Sequence, residues 1–268
     1  MLERSWPRVL FHLARLAGRR APRVVFLHIP KCGGSSINYH FKSNYGSQRS
    51  GRSVLLDSME GTAFDAGALG QARRALYVGG HMGFETLEQI AEDAICFSIV
   101  REPFSRLRSL YAYSRGITQT NHPGFARLAE MAKRSNFADF CLCDDPDARA
   151  MLDNAQARAL AGAYYPFRHG DPAETLRAAR RNMEALDFVL DMRRLTAAFP
   201  CIARRTGTRV VKGKTHANRS PDAGRPEMSR AEFMRVPELR ARVALDLELY
   251  RGLGERPARN VPSVTAAG

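Results

Sequence analysis

Val24-Val25-Phe26-Leu27-His28-Ile29-Pro30-Lys31-Cys32-Gly33-Gly34-Ser35-Ser36 decides how this chain of 268 residues is read. An apolar run of strand length ends in a lysine, a glycine pair and a serine pair, and a helix opens after it. Glycine lets backbone approach a ligand closely, and successive N–H groups at a helix start cradle an anion. Lys31 adds a point charge, and Ser35 and Ser36 add hydroxyl donors. A phosphate or sulfate group is held in this way. A Walker A loop is excluded by residue order: its lysine follows the second glycine, whereas Lys31 precedes both Gly33 and Gly34.

A second apolar run, Ala94-Ile95-Cys96-Phe97-Ser98-Ile99-Val100, leads into Arg101-Glu102-Pro103-Phe104-Ser105-Arg106-Leu107-Arg108-Ser109-Leu110-Tyr111. Pro103 suits the first turn of a helix. Phe104, Leu107 and Tyr111 repeat at helical spacing and mark its inward face. Arg101 then stands at the carboxyl end of a strand, where open α/β sheets bind ligands. An arginine fork with a hydroxyl two turns into the helix, Ser109, is suitable chemistry for a terminal phosphate.

The first segment resembles the 5′-phosphosulfate loop of sulfotransferases. It is most similar to the "HIPKTGGTS" form of the membrane-type carbohydrate branch, which includes heparan sulfate 2-O-sulfotransferase; Cys32 replaces Thr, small for small. The second resembles that family's 3′-phosphate motif, R-[DE]-P-x-x-R-x-x-S-x-Y, through Arg101, Glu102, Pro103, Arg106, Ser109 and Tyr111. Gly79-Gly80-His81-Met82-Gly83-Phe84 is similar to its "G-H-x-x-F" base segment. Asp153 to Gly162 resembles "N-x-Q-x-x-x-L-x-G", which makes Asn154 and Gln156 candidates for substrate binding. On a helix those two do not share a face, so at most one points at ligand, a constraint that a loop at the start of the segment would relax. Phe188 to Leu195 resembles "F-V-G-x-x-E-R-L", with Leu190 replacing Gly and Met192-Arg193 replacing the polar-acidic pair. Lys212-Gly213-Lys214 falls where the family has a basic loop near the nucleotide.

The resemblance implies sulfonate transfer from 3′-phosphoadenosine-5′-phosphosulfate (PAPS) to a hydroxyl, with 3′-phosphoadenosine 5′-phosphate (PAP) as the other product. The acceptor would be a carbohydrate, an anionic glycan among the options. Lys31 and the backbone of Gly33, Gly34, Ser35 and Ser36 would hold the 5′-phosphosulfate, Arg101 and Ser109 the 3′-phosphate, and Lys212 and Lys214 would clamp the nucleotide. Lys31 would also balance charge on the leaving phosphate. Imidazole titrates near neutrality and suits a general base. Of seven histidines, His81 is the candidate; Glu85 is the alternative, and His28, set in the first strand, reads as structural.

Composition narrows the partners. The formal charge is +14, and only 5 of the 41 basic residues are lysine. GC-rich coding accounts for part of the arginine; the remainder favours anionic partners. No zinc-finger spacing, basic heptad or aromatic-interleaved basic motif points to nucleic acid. Five dispersed cysteines suggest a reducing compartment rather than a disulfide framework, and Cys141-Leu142-Cys143 lacks the gap of common zinc sites. No metal is expected. No apolar run is long enough to span a membrane. Residues 1–22 read as a basic leader helix able to touch an anionic membrane surface. Together these features suggest a bacterial, cytoplasmic version of the family.

Strand and helix patterns alternate, which predicts an α/β fold: a mostly parallel central sheet with helices on both faces, the three-layer arrangement of P-loop NTPases. Strands are expected at 24–29, 75–80, 94–100 and 187–191, and helices at 34–43, 84–93 and 103–114. Further helical stretches are expected within 125–185, from 192 to about 205, and through Leu239, Val243, Leu247 and Tyr250. Residues 47–64, rich in Ser, Gly and Arg, read as a loop, as do 115–124 and 213–227. The sulfotransferase-like domain would cover 23–253, with a disordered tail at 254–268. Two other classes compete. A nucleotide-dependent kinase would need a Walker A loop and a metal-binding carboxylate, and neither is apparent. A non-catalytic polyanion binder would have no need of Lys31, His81, Arg101 and Ser109 together.

Overall fold

The computed structural model describes residues 21–57, 64–120, 123–162, 170–211 and 228–255. Five strands form one sheet in the order β2-β3-β1-β4-β5. They are β1 (Arg23–Leu27), β2 (Ser53–Asp57), β3 (Tyr77–His81), β4 (Ala94–Val100) and β5 (Phe188–Asp191). Every pairing is parallel. Parallel neighbours need crossovers, and helices supply them. This is the α/β architecture expected. Both faces of β1 are covered, so Val24, Val25, Phe26 and Leu27 are all fully buried and the strand reads as unbroken apolar sequence.

One face carries an aromatic row. Phe26 stacks on Phe97, Phe97 on Phe188, and Phe41 on Tyr77, with ring centroids 4.7–4.8 Å apart. Phe41 belongs to α1 (Gly34–Tyr45), which lies over that face; His40 of α1 meets Phe199 of the helix Leu195–Thr206. Burial of large aromatic surface makes this row a principal contributor to the core.

The segment 47–64, expected as a loop, contains the edge strand β2. Its apolar core, Val54-Leu55-Leu56 between Ser53 and Asp57, is only three residues long and sits among Ser, Gly and Arg, which hid it. β2 pairs in register with β3, Leu56 opposite Gly80 and Asp57 opposite His81. Gly80 is required there: at φ +154° a Cβ would stand 1.8 Å from the Leu56 carbonyl oxygen. Other departures are smaller. β1 stops at Leu27, the helix after β3 runs Phe84–Ile90, and a helix begins at Pro123 within the expected 115–124 connection. The C-terminal helix is broken at Arg242 and Val243 into Pro237–Ala241 and Ala244–Glu255. The leader helix (residues 1–20), the tail from 256 and the 213–227 loop lie outside the described residues.

Helix starts follow local chemistry. Glu102 caps Pro103–Arg115, accepting from the Phe104 and Ser105 amides with Pro103 in the first turn. Asp145 before Pro146 and Asp171 before Pro172 repeat the device. Among the described residues no helix is long and apolar enough to cross a membrane.

Candidate active site

The loop after β1 begins with a constrained backbone. Lys31 holds φ at +69°, a region a long side chain rarely occupies, and Gly33 follows at +83°. α1 then starts with Gly33 as its N-cap and no side chain capping the first turn. The Ser36 amide donates to the Gly33 carbonyl at 3.2 Å, and the positive end of a helix dipole at this start favours a nearby anion. The glycine pair also has packing reasons. A Cβ on Gly33 would lie 2.8 Å from Leu195, and one on Gly34 would fall 1.9 Å from Nε2 of His28. Gly34 is therefore small because His28 folds over it. Ser35 is exposed and Ser36 buried.

Two cations converge on this loop. Arg101, at the end of β4, donates through Nη1 to the Lys31 carbonyl at 3.1 Å. Lys31 places Nζ 3.7 Å from the ring centre of Tyr113. Burial and the Arg101 charge push the Lys31 ammonium down to about 8. Burial likewise lowers Arg101. Among the described residues neither side chain forms an ion pair with a carboxylate. Partly buried cations left without a counter-ion mark a place for an anionic ligand. Ser109 is half-buried on the helix that Arg101 precedes.

Gln156 ties the two strand–loop segments together. Its Oε1 accepts from the Arg101 amide at 2.8 Å and its Nε2 donates to the Arg101 carbonyl at 3.0 Å. The Cys32 thiol reaches the same Oε1 at 3.5 Å. Buried Asp246 accepts from the Ala157 amide at 2.7 Å and from Gln156 at 3.4 Å, which ties the C-terminal helix to the network. Asn154, at φ +44°, donates to the Ala241 carbonyl at 3.0 Å and accepts from the Leu245 amide at 2.8 Å. Both amide side chains are thus buried and bonded within the protein. They shape the site from behind. Arg106, which the motif shares, is almost fully buried and donates to the Met151 carbonyl at 2.6 Å.

His81 ends β3 on the same edge of the sheet. Its ring lies 4.5 Å from that of His28, and its Nδ1 is 3.4 Å from Oδ2 of Asp57. Burial, with the nearby His81 and Lys31 charges, holds His28 well below the usual imidazole range, so His28 is neutral at pH 7. Phe125 closes the arrangement, 6.3 Å from His81 and 5.7 Å from Tyr113. His28 and the Tyr113–Phe125 pair therefore bridge the Lys31 side and the His81 side. Glu85, the alternative base, packs over Gly162, where a Cβ would stand 2.7 Å from Oε1.

The structure thus brings Lys31, Arg101, the α1 start and His81 to one edge. A sulfotransferase family model matches residues 19–161. The chain belongs to the sulfotransferase family. The match spans both strand–loop segments, His81 and the Asn154–Gln156 region, and its chemistry is sulfonate transfer. A comparison with curated proteins gives no match. In this sulfotransferase the sequence reading missed His28 as a site neighbour, and it missed Asp57, Tyr113 and Phe125 altogether. Only Asp57, closing the short apolar run Val54-Leu55-Leu56 at a strand end, left a local signal. Lys212 and Lys214 lie outside the described residues. Among the described residues no cluster of three or more His, Cys, Asp or Glu could hold a metal ion.

Proposed function

We propose that this sulfotransferase uses PAPS as donor and a carbohydrate hydroxyl as acceptor, in the manner of the heparan sulfate 2-O-sulfotransferase branch that its motifs resemble. The observation that carries the donor reading is the Lys31–Arg101 pair, two cations that among the described residues form no ion pair with a carboxylate, beside a start of α1 that no side chain caps. Lys31 and the first amides of α1 hold the 5′-phosphosulfate; Arg101 and Ser109 hold the 3′-phosphate. PAPS supplies the sulfonate, with PAP as leaving group. His81 takes the acceptor hydroxyl's proton as the oxygen becomes a nucleophile. Lys31 balances charge on the departing phosphate. Gln156 keeps Arg101 and Cys32 in register, which assigns it and Asn154 to positioning in place of direct substrate contact. The carbohydrate reading is supported by the His81 segment and by the Tyr113–Phe125 wall, whose rings offer flat apolar surface to a sugar face.

Purified protein incubated with PAPS and a panel of hydroxylated acceptors (glycosaminoglycan backbones, simple glycosides and phenols) tests this by mass spectrometry. Sulfonate added to a glycan is expected. Sulfonation of phenols alone would overturn the acceptor reading. Phosphorylation from ATP and magnesium, with no sulfonation from PAPS, would overturn the donor reading.

A further inference from the structure

The edge strand β2 brings a carboxylate to the proposed base. We propose that Asp57 is the positioning residue of His81, fixing which ring nitrogen carries the proton; this rests on the reading of His81 as the base. Three observations carry it. Asp57 and His81 are the last residues of neighbouring parallel strands and stand opposite one another in register. Gly80 locks that register, because any side chain there would enter the Leu56 backbone. Oδ2 of Asp57 lies 3.4 Å from Nδ1 of His81, a long contact of the kind that tightens when substrate closes a site.

The consequence follows from imidazole chemistry. A neutral imidazole has one N–H donor and one acceptor nitrogen, and the partner of one nitrogen decides the role of the other. With Nδ1–H donated to Asp57, Nε2 is the unprotonated nitrogen, the one whose lone pair takes a proton. As the acceptor oxygen bonds to sulfur, its hydrogen moves to Nε2 and the sulfur–oxygen bond to PAP breaks, PAP keeping the electron pair. The imidazolium so formed is stabilised by the Asp57 carboxylate. His28 cannot substitute, since its ring meets His81 as a ring contact and its Nε2 faces Gly34. Asp57 is 40 % exposed, so its replacement removes little from the core.

Nitrogen-15 NMR of the full chain labelled at histidine tests this without turnover, with His81→Ala identifying the signal. Neutral His81 should carry its proton on Nδ1 in the wild type. In Asp57→Ala the proton should move towards Nε2, the form imidazole favours in water. A wild-type His81 protonated on Nε2 overturns the proposal, whatever the folding of the variant. In the PAPS assay, Asp57→Asn should lower kcat by roughly ten- to a hundredfold with KM for PAPS unchanged, and Asp57→Glu should recover part of it. Unchanged kcat in Asp57→Asn overturns the assignment. Absence of sulfonate transfer in the wild type would instead count against the proposed function, while the tautomer measurement still decides the Asp57–His81 link.

Discussion

The Lys31–Arg101 side of the site and the His81 side are assembled differently. Lys31 to Ser36 form one uninterrupted loop and helix start, and Arg101 to Ser109 form another. Each is a strand, a turn and a first helical turn, so local backbone geometry does most of the positioning. The His81 side draws on four separate places: His28 after β1, Asp57 at the end of β2, His81 at the end of β3, and Phe125 on a later helix. Strand order and register bring these together. An anion site can therefore be set by a short contiguous segment, whereas a base and its neighbours depend on the whole sheet.

If the two sides are separable, substitutions should affect them separately, and the largest effect should come from the base. His81→Ala should reduce turnover by about 10²–10⁴. Its affinity for PAP, measured by calorimetry, should stay at the wild-type value if the imidazole serves the acceptor, as proposed. A parallel loss of PAP affinity would show that the two sides act as one unit.

Arg101→Ala probes the other side. Loss of a charge-assisted contact costs roughly 1.5–3 kcal/mol, so PAP should bind about tenfold to a hundredfold more weakly. Affinity for AMP, which lacks the 3′-phosphate, should hardly change. Equal wild-type affinity for PAP and AMP would remove Arg101 from the donor assignment.

The same contrast explains what a single sequence could show. β1 and β4 are largely buried apolar runs, one leading into the Lys31 loop and the other directly into Arg101, so both strands and the parallel sheet were legible. The placement of Arg101 just after β4 and of His81 at the end of β3 was legible too, with Lys31 in the loop after β1. β2 was not, because three apolar residues, Val54-Leu55-Leu56, inside a polar stretch carry little pattern. Asp57 was lost with it. Gln156 was legible as a motif residue but not in its task, since its partners Arg101, Cys32 and Asp246 are remote in the chain. The glycine pair was legible as a close-approach signal; that Gly34 also makes room for His28 required the fold.

The smallest effect expected is a pH dependence confined to the Lys31 side. Burial and the Arg101 guanidinium bring Lys31 down to about 8. Its ammonium is present below that pH and is lost as pH rises through it. A bound phosphate favours the charged form, so PAP affinity should be nearly flat below about pH 8 and should fall above it, by at most about tenfold per pH unit for one proton. The neighbours do not supply this slope. His28 is held well below the usual imidazole range and is already neutral there, and the Cys32 thiol is pushed up to about 12 by burial. Lys31→Arg keeps the charge through the whole range and should flatten the dependence. His81→Ala should retain the wild-type slope, because its imidazole is not on the phosphate. Calorimetric titration with PAP at about pH 7 and about pH 9 distinguishes these outcomes. A slope that survives in Lys31→Arg would move the titrating group elsewhere, and a slope that vanishes in His81→Ala would show that the two sides act as one unit.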